Sequence, residues 1–428
     1  MDFQSKVCLN KSDLIIYSKN KIVVLYNQKL GKHIILSKEV YGFFENADSE
    51  QISINEFIDC FQDREDKKYI KQVIVNMIKA GIILHKNYDK EIEEQFLINS
   101  AYLCLTNRCN LKCKHCCSSC SDKENDCLST EDIKKIIDTL KELNISNIVL
   151  TGGEPLLRYD FEEIVIYAKK QIPKVNLILS TNSILINDKN IDFIINNFNK
   201  IDISIDGVDE ETCSQTRGKG VFGKVLDSVD KLKIKGFVNI SLSMVFGQKN
   251  DYLKEDFIKL NESIGTNPVM RYFVPTGRGL ENKDQYLYDD TILPITIPEM
   301  LVDRNKKSKR ISSCACNALK SQIFINYDGN IYPCPSLVKD IYNAGSIFDS
   351  DIINVLKNKN TNSLGAYKNI EKIYPYNFEK CKDCDVNIFC WHCPAILDSV
   401  KDNDAEFNKW CNLMKSNLNR IIWDEEGE

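Results

Sequence analysis

Three cysteines in the spacing C-x3-C-x2-C, Cys109, Cys113 and Cys116, constrain this chain more than any other feature. They follow a short apolar run, Ile98–Leu105, that predicts a strand, so all three lie on one loop after that strand. Structural zinc takes four ligands, whereas a cubane iron–sulfur cluster held by three thiolates leaves one iron open to a small molecule. The spacing therefore favours an iron–sulfur cluster with one exchangeable position.

The composition excludes several classes of protein. The N-terminus shows no apolar export signal, and no run reaches the roughly 18 apolar residues of a membrane span. Eighteen cysteines in such a chain favour metal ligation in a reducing compartment over a disulfide scaffold. The net charge of −5 offers no field that would attract nucleic acid or anionic lipid. We expect a cytoplasmic protein with neither a nucleic-acid nor a membrane partner.

Residues 1–92 are predicted to form a separate module with a winged-helix-like shape. Helices are expected to begin near Ser37, after Ser53 as N-cap, and at Lys67. DNA binding is the ordinary function of such a shape, but residues 1–90 carry 14 Lys and Arg against 12 Asp and Glu, which is not the basic balance that phosphate contact requires. Alternating apolar residues predict three preceding strands, at Leu14–Tyr17, Ile22–Tyr26 and His33–Leu36.

Residues 97–300 alternate between strand and helix patterns, which predicts an α/β fold, a partial (β/α)6 TIM barrel. Parallel strands joined by helices have right-handed crossovers, and active sites of such barrels lie on the loops after the strands. The cysteine loop follows the first strand and so lies at that end. The predicted strands are Tyr102–Leu105, Asn147–Leu150, Asn176–Ser180, Ile201–Ile205, Asn239–Val245 and Val269–Val274.

The run Cys109-Asn-Leu-Lys-Cys113-Lys-His-Cys116 resembles the signature of the radical S-adenosylmethionine (radical SAM) superfamily. The resemblance implies a [4Fe–4S] cluster whose open iron binds the amino and carboxylate groups of SAM. It also implies reductive cleavage of SAM to a 5′-deoxyadenosyl radical that abstracts a hydrogen atom from the substrate.

The same resemblance implies a SAM-binding set at the ends of the next strands. Thr151-Gly152-Gly153-Glu154-Pro155 resembles the GGE motif of the superfamily, in which glycines let the backbone approach the methionine ammonium. Polar residues after strands three and four would bond the ribose or line the cavity, and an arginine would pair with the SAM carboxylate. Strand-end turns and a surface arginine are the alternatives. The implied SAM-binding residues are Gly152, Gly153, Glu154, Pro155, Ser180, Asn182, Ser204, Asp206 and Arg217.

Residues 310–428 are rich in cysteine and resemble the SPASM extension of peptide-modifying radical SAM enzymes, which holds two auxiliary [4Fe–4S] clusters. Two residues, Trp391 and His392, separate the last pair of clustered cysteines where the family normally has three, so the division of ligands stays open. A zinc ribbon is the competing interpretation, because C-x2-C pairs are also typical of zinc sites. The resemblance implies Cys316, Cys334 and Cys393, with or without Cys314, for the first cluster, and Cys381, Cys384, Cys390 and Cys411 for the second.

Other residues near the signature have no assigned role. His115 stands where relatives carry an aromatic residue near adenine, and Cys117, Cys120 and Cys127 are loop thiols that could have a redox or substrate-exchange function. No catalytic side chain beyond the cofactor ligands can be named.

The module of residues 1–92 resembles the PqqD-like peptide-recognition element of maturases of ribosomally made peptides, in which a leader peptide adds as a strand to the sheet edge. The resemblance therefore implies a maturase acting on a precursor peptide with a leader, with an electron donor such as flavodoxin or ferredoxin. A cysteine-to-carbon thioether is the product we expect first. The alternatives are a carbon–carbon cross-link, a sulfatase-type maturase and a zinc-containing binding protein.

Overall fold

The N-terminal module is an antiparallel sheet followed by three helices, in the order that the sequence predicts. A computed structural model describes residues 4–84, 97–287, 311–391 and 393–423, so the predicted domain boundaries at 92, 300 and 310 lie outside the described residues. Side chains of Ser37, Ser53 and Asp63 accept amide hydrogen bonds in the first turns of the helices, which therefore begin after these residues. The elements are β1 (Leu14–Lys19), β2 (Ile22–Asn27), β3 (Lys32–Ser37), α1 (Lys38–Ser49), α2 (Ile54–Asp59) and α3 (Arg64–Lys79).

The central strand of this sheet, β2, is buried on both faces. Val23 and Leu25 lie in the core formed with helices α1 to α3, whereas Val24 and Tyr26 lie in a second core formed with the C-terminal region. Side chains alternate between the faces of a strand, so one short strand joins two hydrophobic cores. The module is therefore packed against the C-terminal part of the chain.

The central sheet contains the six parallel strands that the sequence predicts. They lie in chain order and are connected by helices. The fold class is thus confirmed as α/β with a mostly parallel sheet. The strands are β4 (Ser100–Cys104), β5 (Asn147–Thr151), β6 (Asn176–Thr181), β7 (Lys200–Ser204), β8 (Ile240–Phe246) and β9 (Asn267–Tyr272).

Five helices of this region agree with the alternation of strand and helix patterns in the sequence, and two short helices, Glu210–Arg217 and Arg278–Glu281, are additions. The helix that ends at Arg217 was not expected, because its sequence has no apolar stripe; Asp209 caps it through the backbone amide of Thr212. The helices are α4 (Thr130–Glu142), α5 (Phe161–Gln171), α6 (Ile191–Asn197), α7 (Glu210–Arg217), α8 (Val221–Ile234), α9 (Lys254–Ile264) and α10 (Arg278–Glu281).

The C-terminal region extends the central sheet. Strand β10 (Gln322–Ile325) pairs in parallel with β4, and β11 (Ile331–Tyr332) pairs antiparallel with β10. The strand that leads into the cysteine loop is therefore an inner strand with a neighbour on each side. The remaining helices are α11 (Ser350–Lys357), α12 (Gly365–Glu371), α13 (Asn387–Cys390), α14 (Pro394–Val400) and α15 (Asp404–Trp423).

The lengths and apolar character of the helices bear on whether the chain could cross a membrane. Among the described residues, none of the helices combines the length and the apolar character that crossing a bilayer requires.

The turn between β2 and β3 sets how closely the module approaches the C-terminal region. Gly31 has φ +64°, and a Cβ there would lie 2.7 Å from the Cβ of Ala315 and 2.9 Å from the carbonyl oxygen of Cys314. The Ser313 hydroxyl donates to the Gly31 carbonyl at 2.8 Å. This contact admits only glycine without backbone movement.

We expect Gly31→Ala to lower stability by at least about 1 kcal/mol, because it combines a positive φ with a backbone clash. Gly42→Ala is the matched control, since that position in α1 meets nothing within 4 Å and gains helix propensity. The apparent thermal midpoint by circular dichroism should fall for the first variant and hold or rise for the second. Equal midpoints would show that the turn does not limit the contact.

Candidate active site

The cysteine loop after β4 is held against the end of β5 by backbone contacts. The amide of Gly153 donates to the Thr106 carbonyl at 2.7 Å, and the amide of Glu154 donates to the Arg108 carbonyl at 2.8 Å. A Cβ on Gly152 or Gly153 would lie 2.5 or 2.1 Å from these same carbonyl oxygens. The two glycines are therefore required for close approach of the cysteine loop. The amides of Gly153 and Glu154 bond this loop, so they do not face a ligand.

Glu154 is fully buried and connects β5 to β6. Its carboxylate accepts from the Thr181 hydroxyl at 2.7 Å, from the Asn182 amide at 2.8 Å and from the Leu156 amide at 3.2 Å. Burial raises the pKa of this carboxyl to about 7, although those donors act in the opposite direction. Glu154 therefore orders the strand ends beside the cysteine loop.

A buried charge network joins Asp206, Arg217 and His115. One oxygen of Asp206 accepts from Arg217 Nε at 2.7 Å and lies 2.7 Å from His115 Nε2, and the other accepts from the Val245 amide at 2.6 Å. Burial alone would raise the pKa of Asp206, but Arg217 and His115 outweigh it and hold the pKa well below its usual range. The unexpected helix α7 thus carries Arg217 to the carboxylate of Asp206.

Polar groups surround the sulfur atoms of the cysteine loop. Arg217 Nη1 lies 3.7 Å from the Cys113 sulfur, and Asn182 Nδ2 lies 3.9 Å from the Cys109 sulfur. Burial raises the pKa of the Cys109 thiol to about 11, whereas a hydrogen bond from Cys120 lowers the pKa of the Cys116 thiol to about 5. Donors and a cation aimed at sulfur favour the thiolate form, which metal ligation requires.

An arginine that the sequence analysis missed holds the loop from its other side. Arg278, at the start of α10, donates through Nε to the Cys113 carbonyl at 2.9 Å and through Nη2 to the Cys120 carbonyl at 3.0 Å. Its backbone amide donates to the Cys116 carbonyl at 3.0 Å. Gly277 makes this approach possible, since a Cβ there would lie 2.3 Å from the Cys117 carbonyl oxygen. The sequence signal was the run Gly277-Arg278-Gly279 shortly after a strand end.

Aromatic rings continue the site beyond the signature. The rings of His115 and Tyr286 are parallel with centroids 6.1 Å apart, and Tyr286 stacks on Phe273 at 4.4 Å. The Nδ1 atom of His115 is buried without a hydrogen-bond partner. A flat, partly polar surface of this kind suits an aromatic ligand such as adenine.

The other predicted SAM-binding residues also lie at the carboxyl ends of the strands. Ser180 on β6 and Ser204 on β7 are half-buried and alternate with core residues, so they lie on the face of the sheet away from the packed helices. Pro155 is buried at the start of a 3-10 turn. The predicted set therefore surrounds one end of the sheet beside the cysteine loop.

The C-terminal thiols fall into two sets. Cys314, Cys334 and Cys393 each interact electrostatically with Cys316, and those charges add to burial in raising the pKa of each of the three thiols. In the same way, Cys384 and its neighbours add to burial in raising the pKa of the Cys381, Cys390 and Cys411 thiols. We propose that these are the two ligand sets that the SPASM resemblance implies, with Cys314 in the first.

The donor chemistry of all three sets fits iron–sulfur clusters. Every cysteine among the described residues is a free thiol, and thiolates are the usual ligands of such clusters. In the part of the chain that the structure describes, no three Cys, His, Asp or Glu side chains converge closely enough to share one metal ion.

Sequence comparison places this geometry in known families. Residues 103–260 match the Radical SAM superfamily, and residues 314–385 match SPASM, an iron–sulfur cluster-binding domain. The chain therefore contains a radical SAM domain. Its C-terminal part is a SPASM domain, and its cofactors are SAM and [4Fe–4S] clusters.

Individual relatives share the radical SAM part with modest identity. Mycofactocin maturase MftC of Mycolicibacterium smegmatis is 29% identical over 259 residues, which are 57% of this chain and 66% of that protein. A probable GTP 3′,8-cyclase of Saccharolobus islandicus is 25% identical over 271 residues, which are 59% of this chain and 85% of that protein. The matched segments thus span about two thirds or more of these relatives.

Two solved structures share the fold. Streptococcus suis SuiB superposes with a TM-score of 0.52 at 16% identity, covering 93% of this chain and 98% of that one. The structure titled anSMEcpe with bound AdoMet and Cp18Cys peptide gives a TM-score of 0.52 at 21% identity, covering 75% of this chain and 96% of that one.

We expect Gly153→Ala to displace the cysteine loop, since its Cβ would lie 2.1 Å from the Arg108 carbonyl oxygen. The variant should lose about four irons per chain after anaerobic reconstitution, together with SAM cleavage. Gly223→Ala, in α8 with nothing within 4 Å, is the matched control and should keep both. Full iron content and SAM cleavage in Gly153→Ala would contradict the role given to this contact.

Proposed function

We propose that this protein is a maturase that uses radical SAM chemistry to install a cross-link in a ribosomally synthesised precursor peptide. The observation that carries the proposal is the union, in one fold, of the radical SAM site, the SPASM domain and an N-terminal sheet with open edges. The maturase name of the relative MftC and the fold shared with SuiB over 93% of this chain support it.

The radical SAM part alone does not define the substrate. A maturase and a probable GTP cyclase match it at comparable identity. The substrate must therefore be inferred from the regions outside the radical SAM part. Residues 4–84 contribute a sheet, helices and no cofactor ligand from the predicted set, which suits peptide binding.

The outer edge of β3 is the proposed docking site for the leader of the precursor. Within the described ranges, no strand pairs with the outer edge of β1 or of β3. The β1 edge is tied to the C-terminal region through Tyr17, which bonds Asn387 at 2.7 Å, and through Lys19, which pairs with Asp385 at 2.8 Å. Strand β3 leads directly into α1, so a strand added to its edge by β-augmentation would lie beside a helix.

Exposed apolar side chains lie on both elements of that proposed site, on opposite faces of the sheet, because Ile35 pairs with Val24, whose side chain faces the C-terminal region. Ile35 on β3 is 40% exposed, and Phe43 on α1 is 40% exposed with its ring edge-on to Phe61. Apolar side chains beside an open strand edge give a bound peptide both backbone hydrogen bonds and side-chain contacts.

The residues around the signature have clear tasks when the cofactors are bound. The cluster and SAM supply a 5′-deoxyadenosyl radical, and the protein supplies binding, orientation and exclusion of water. Arg217, held by Asp206, would present its remaining guanidinium face to the SAM carboxylate, and the His115–Tyr286 stack would contact the adenine. An electron donor such as flavodoxin or ferredoxin is the further partner this chemistry needs.

Two kinds of bond are candidates for the product. A thioether is the first, because the auxiliary thiols resemble those of enzymes that make such bridges. The second is a carbon–carbon bond, which is favoured if Cys314 joins Cys316, Cys334 and Cys393 as a ligand, since four thiols would leave no iron open to hold a substrate sulfur.

We expect Ile35→Asp to weaken binding of the full-length precursor about tenfold, because a carboxylate replaces an apolar contact at the strand edge. Ile16→Asp is the matched control, since Ile16 lies on the opposite edge strand β1 with a similar exposure of 44%. Binding by fluorescence anisotropy should separate the two variants, and SAM cleavage without peptide should match the unmodified enzyme in both. Equal weakening by both variants would refute the choice of β3.

The bond itself is tested on the peptide product. Each cross-link of either kind lowers the peptide mass by two hydrogens, and a thioether also removes one thiol. Co-expression with the precursor, followed by intact mass and alkylation with a thiol reagent, gives both readings. Loss of hydrogens with one cysteine protected establishes the thioether. Loss of hydrogens with every cysteine alkylated establishes the carbon–carbon bond, and an unchanged mass would refute cross-linking.

A further inference from the structure

A buried lysine lies beside the first auxiliary set of thiols. Lys320 follows Leu319, which has φ +55°, in a turn where the amides of Lys320 and Ser321 both donate to the Asn317 carbonyl at 3.0 Å. Strand β10 begins two residues later and pairs with β4. The backbone of Lys320 is therefore held between the thiol-bearing segment and the central sheet.

The side chain of Lys320 enters the protein instead of extending into solvent. The residue is 8% exposed, and its ammonium lies 4.9 Å from the centre of the Tyr374 ring. It lines a cavity of about 390 Å³ that also touches Gln28 and Lys29 of the N-terminal module. A lysine is rarely buried to this extent unless its charge is used or compensated.

Tyr374, which lies beside Lys320, belongs to a row of three packed tyrosines, two of which contact the thiol-bearing backbone. The Tyr374 hydroxyl donates to the Cys316 carbonyl at 3.4 Å, and the Tyr26 hydroxyl donates to the Cys314 carbonyl at 2.8 Å. Tyr376 stacks on Tyr374 at 5.3 Å and lies 5.7 Å from Tyr26. These rings place the ammonium and the thiols in one packed unit.

The charges of Lys320 and the thiols act on each other. Burial lowers the pKa of Lys320, and the negative charges of Cys316, Cys314 and Glu371, which lines the same cavity, oppose that effect. In return, burial raises the pKa of both thiols, and Lys320 opposes that rise. The interaction is between buried groups, so salt screens it little.

We propose that the Lys320 ammonium sets the reduction potential of the iron–sulfur centre held by Cys314, Cys316, Cys334 and Cys393, keeping it higher than a neutral side chain would. The inference rests on the ligand set assigned above. Reduction adds negative charge to a cluster, and a nearby buried cation stabilises the reduced form. Lys320 is thus a positioning residue, because its charge acts on the cluster and not directly on the substrate.

The test compares Lys320→Met with Lys320→Arg in anaerobically reconstituted full-length protein, by redox titration followed by electron paramagnetic resonance. In the Met variant, the midpoint potential of one cluster should move to a lower value. At the original midpoint, the ratio of reduced to oxidised cluster should be about tenfold smaller, which corresponds to a shift of about 59 mV for one electron. The Arg variant should stay near the original value. Lys359→Met, an exposed lysine lining the same cavity, is the control and should shift nothing.

Each other outcome overturns the inference. Unchanged midpoints in Lys320→Met with full iron content would show that the charge is not felt by the cluster. If Lys320→Met loses iron, the midpoint potential is measured in Lys320→Gln instead. Loss of about four irons from both neutral variants would show that Lys320 is required for cluster binding and would overturn the inference. The measurement needs no peptide, so failure of the maturase proposal would leave this result unaffected.

Discussion

The structure depends on the contact between the Gly152-Gly153-Glu154 segment and the loop that carries the three signature cysteines. Two backbone hydrogen bonds, of 2.7 and 2.8 Å, bring the end of β5 onto that loop at a distance that no side chain allows. This contact positions cysteines that are separated from one another by only a few residues on an otherwise irregular segment. The order of the thiols therefore depends on main-chain geometry.

Buried charges add direction to that geometry. Arg158 bonds Asp160 at 2.7 and 2.8 Å and donates to the carbonyls of Leu105 and Leu128 at 3.0 and 3.2 Å, which holds both ends of the loop region. Burying ion pairs costs desolvation energy, which the fold must recover elsewhere. Such pairs are therefore better understood here as devices that fix orientation than as sources of stability.

Much of the architecture follows from local sequence. Apolar alternation and capping residues such as Ser53 predict the strands and helices of the module and the barrel, because these signals act over a few residues. Pairing of β10 with β4 could not be predicted, since it joins residues more than 200 positions apart. Helix α7 was missed because its helical face carries polar residues, and packing against α8 does not show in its own sequence.

In the site, too, some residues can be predicted from short sequence motifs and others only from the folded structure. The signature cysteines and the glycines after β5 are visible as short motifs, and their resemblance to a family supplies their roles. Arg278 reaches the cysteine loop from a distant part of the chain, so no spacing rule identifies it. Partition of the auxiliary thiols likewise depends on how β11 and α13 to α15 come together.

The shared sheet has a consequence for how the protein can be divided. Because β10 covers one edge of β4, and because Leu319, Ile323 and Ile331 lie in the same hydrophobic core as the barrel helices, the SPASM region completes the barrel. A fragment ending before residue 311 would expose an unpaired edge on the very strand that leads to the cysteine loop, which invites aggregation. Recombination between relatives should therefore keep β4 and β10 together.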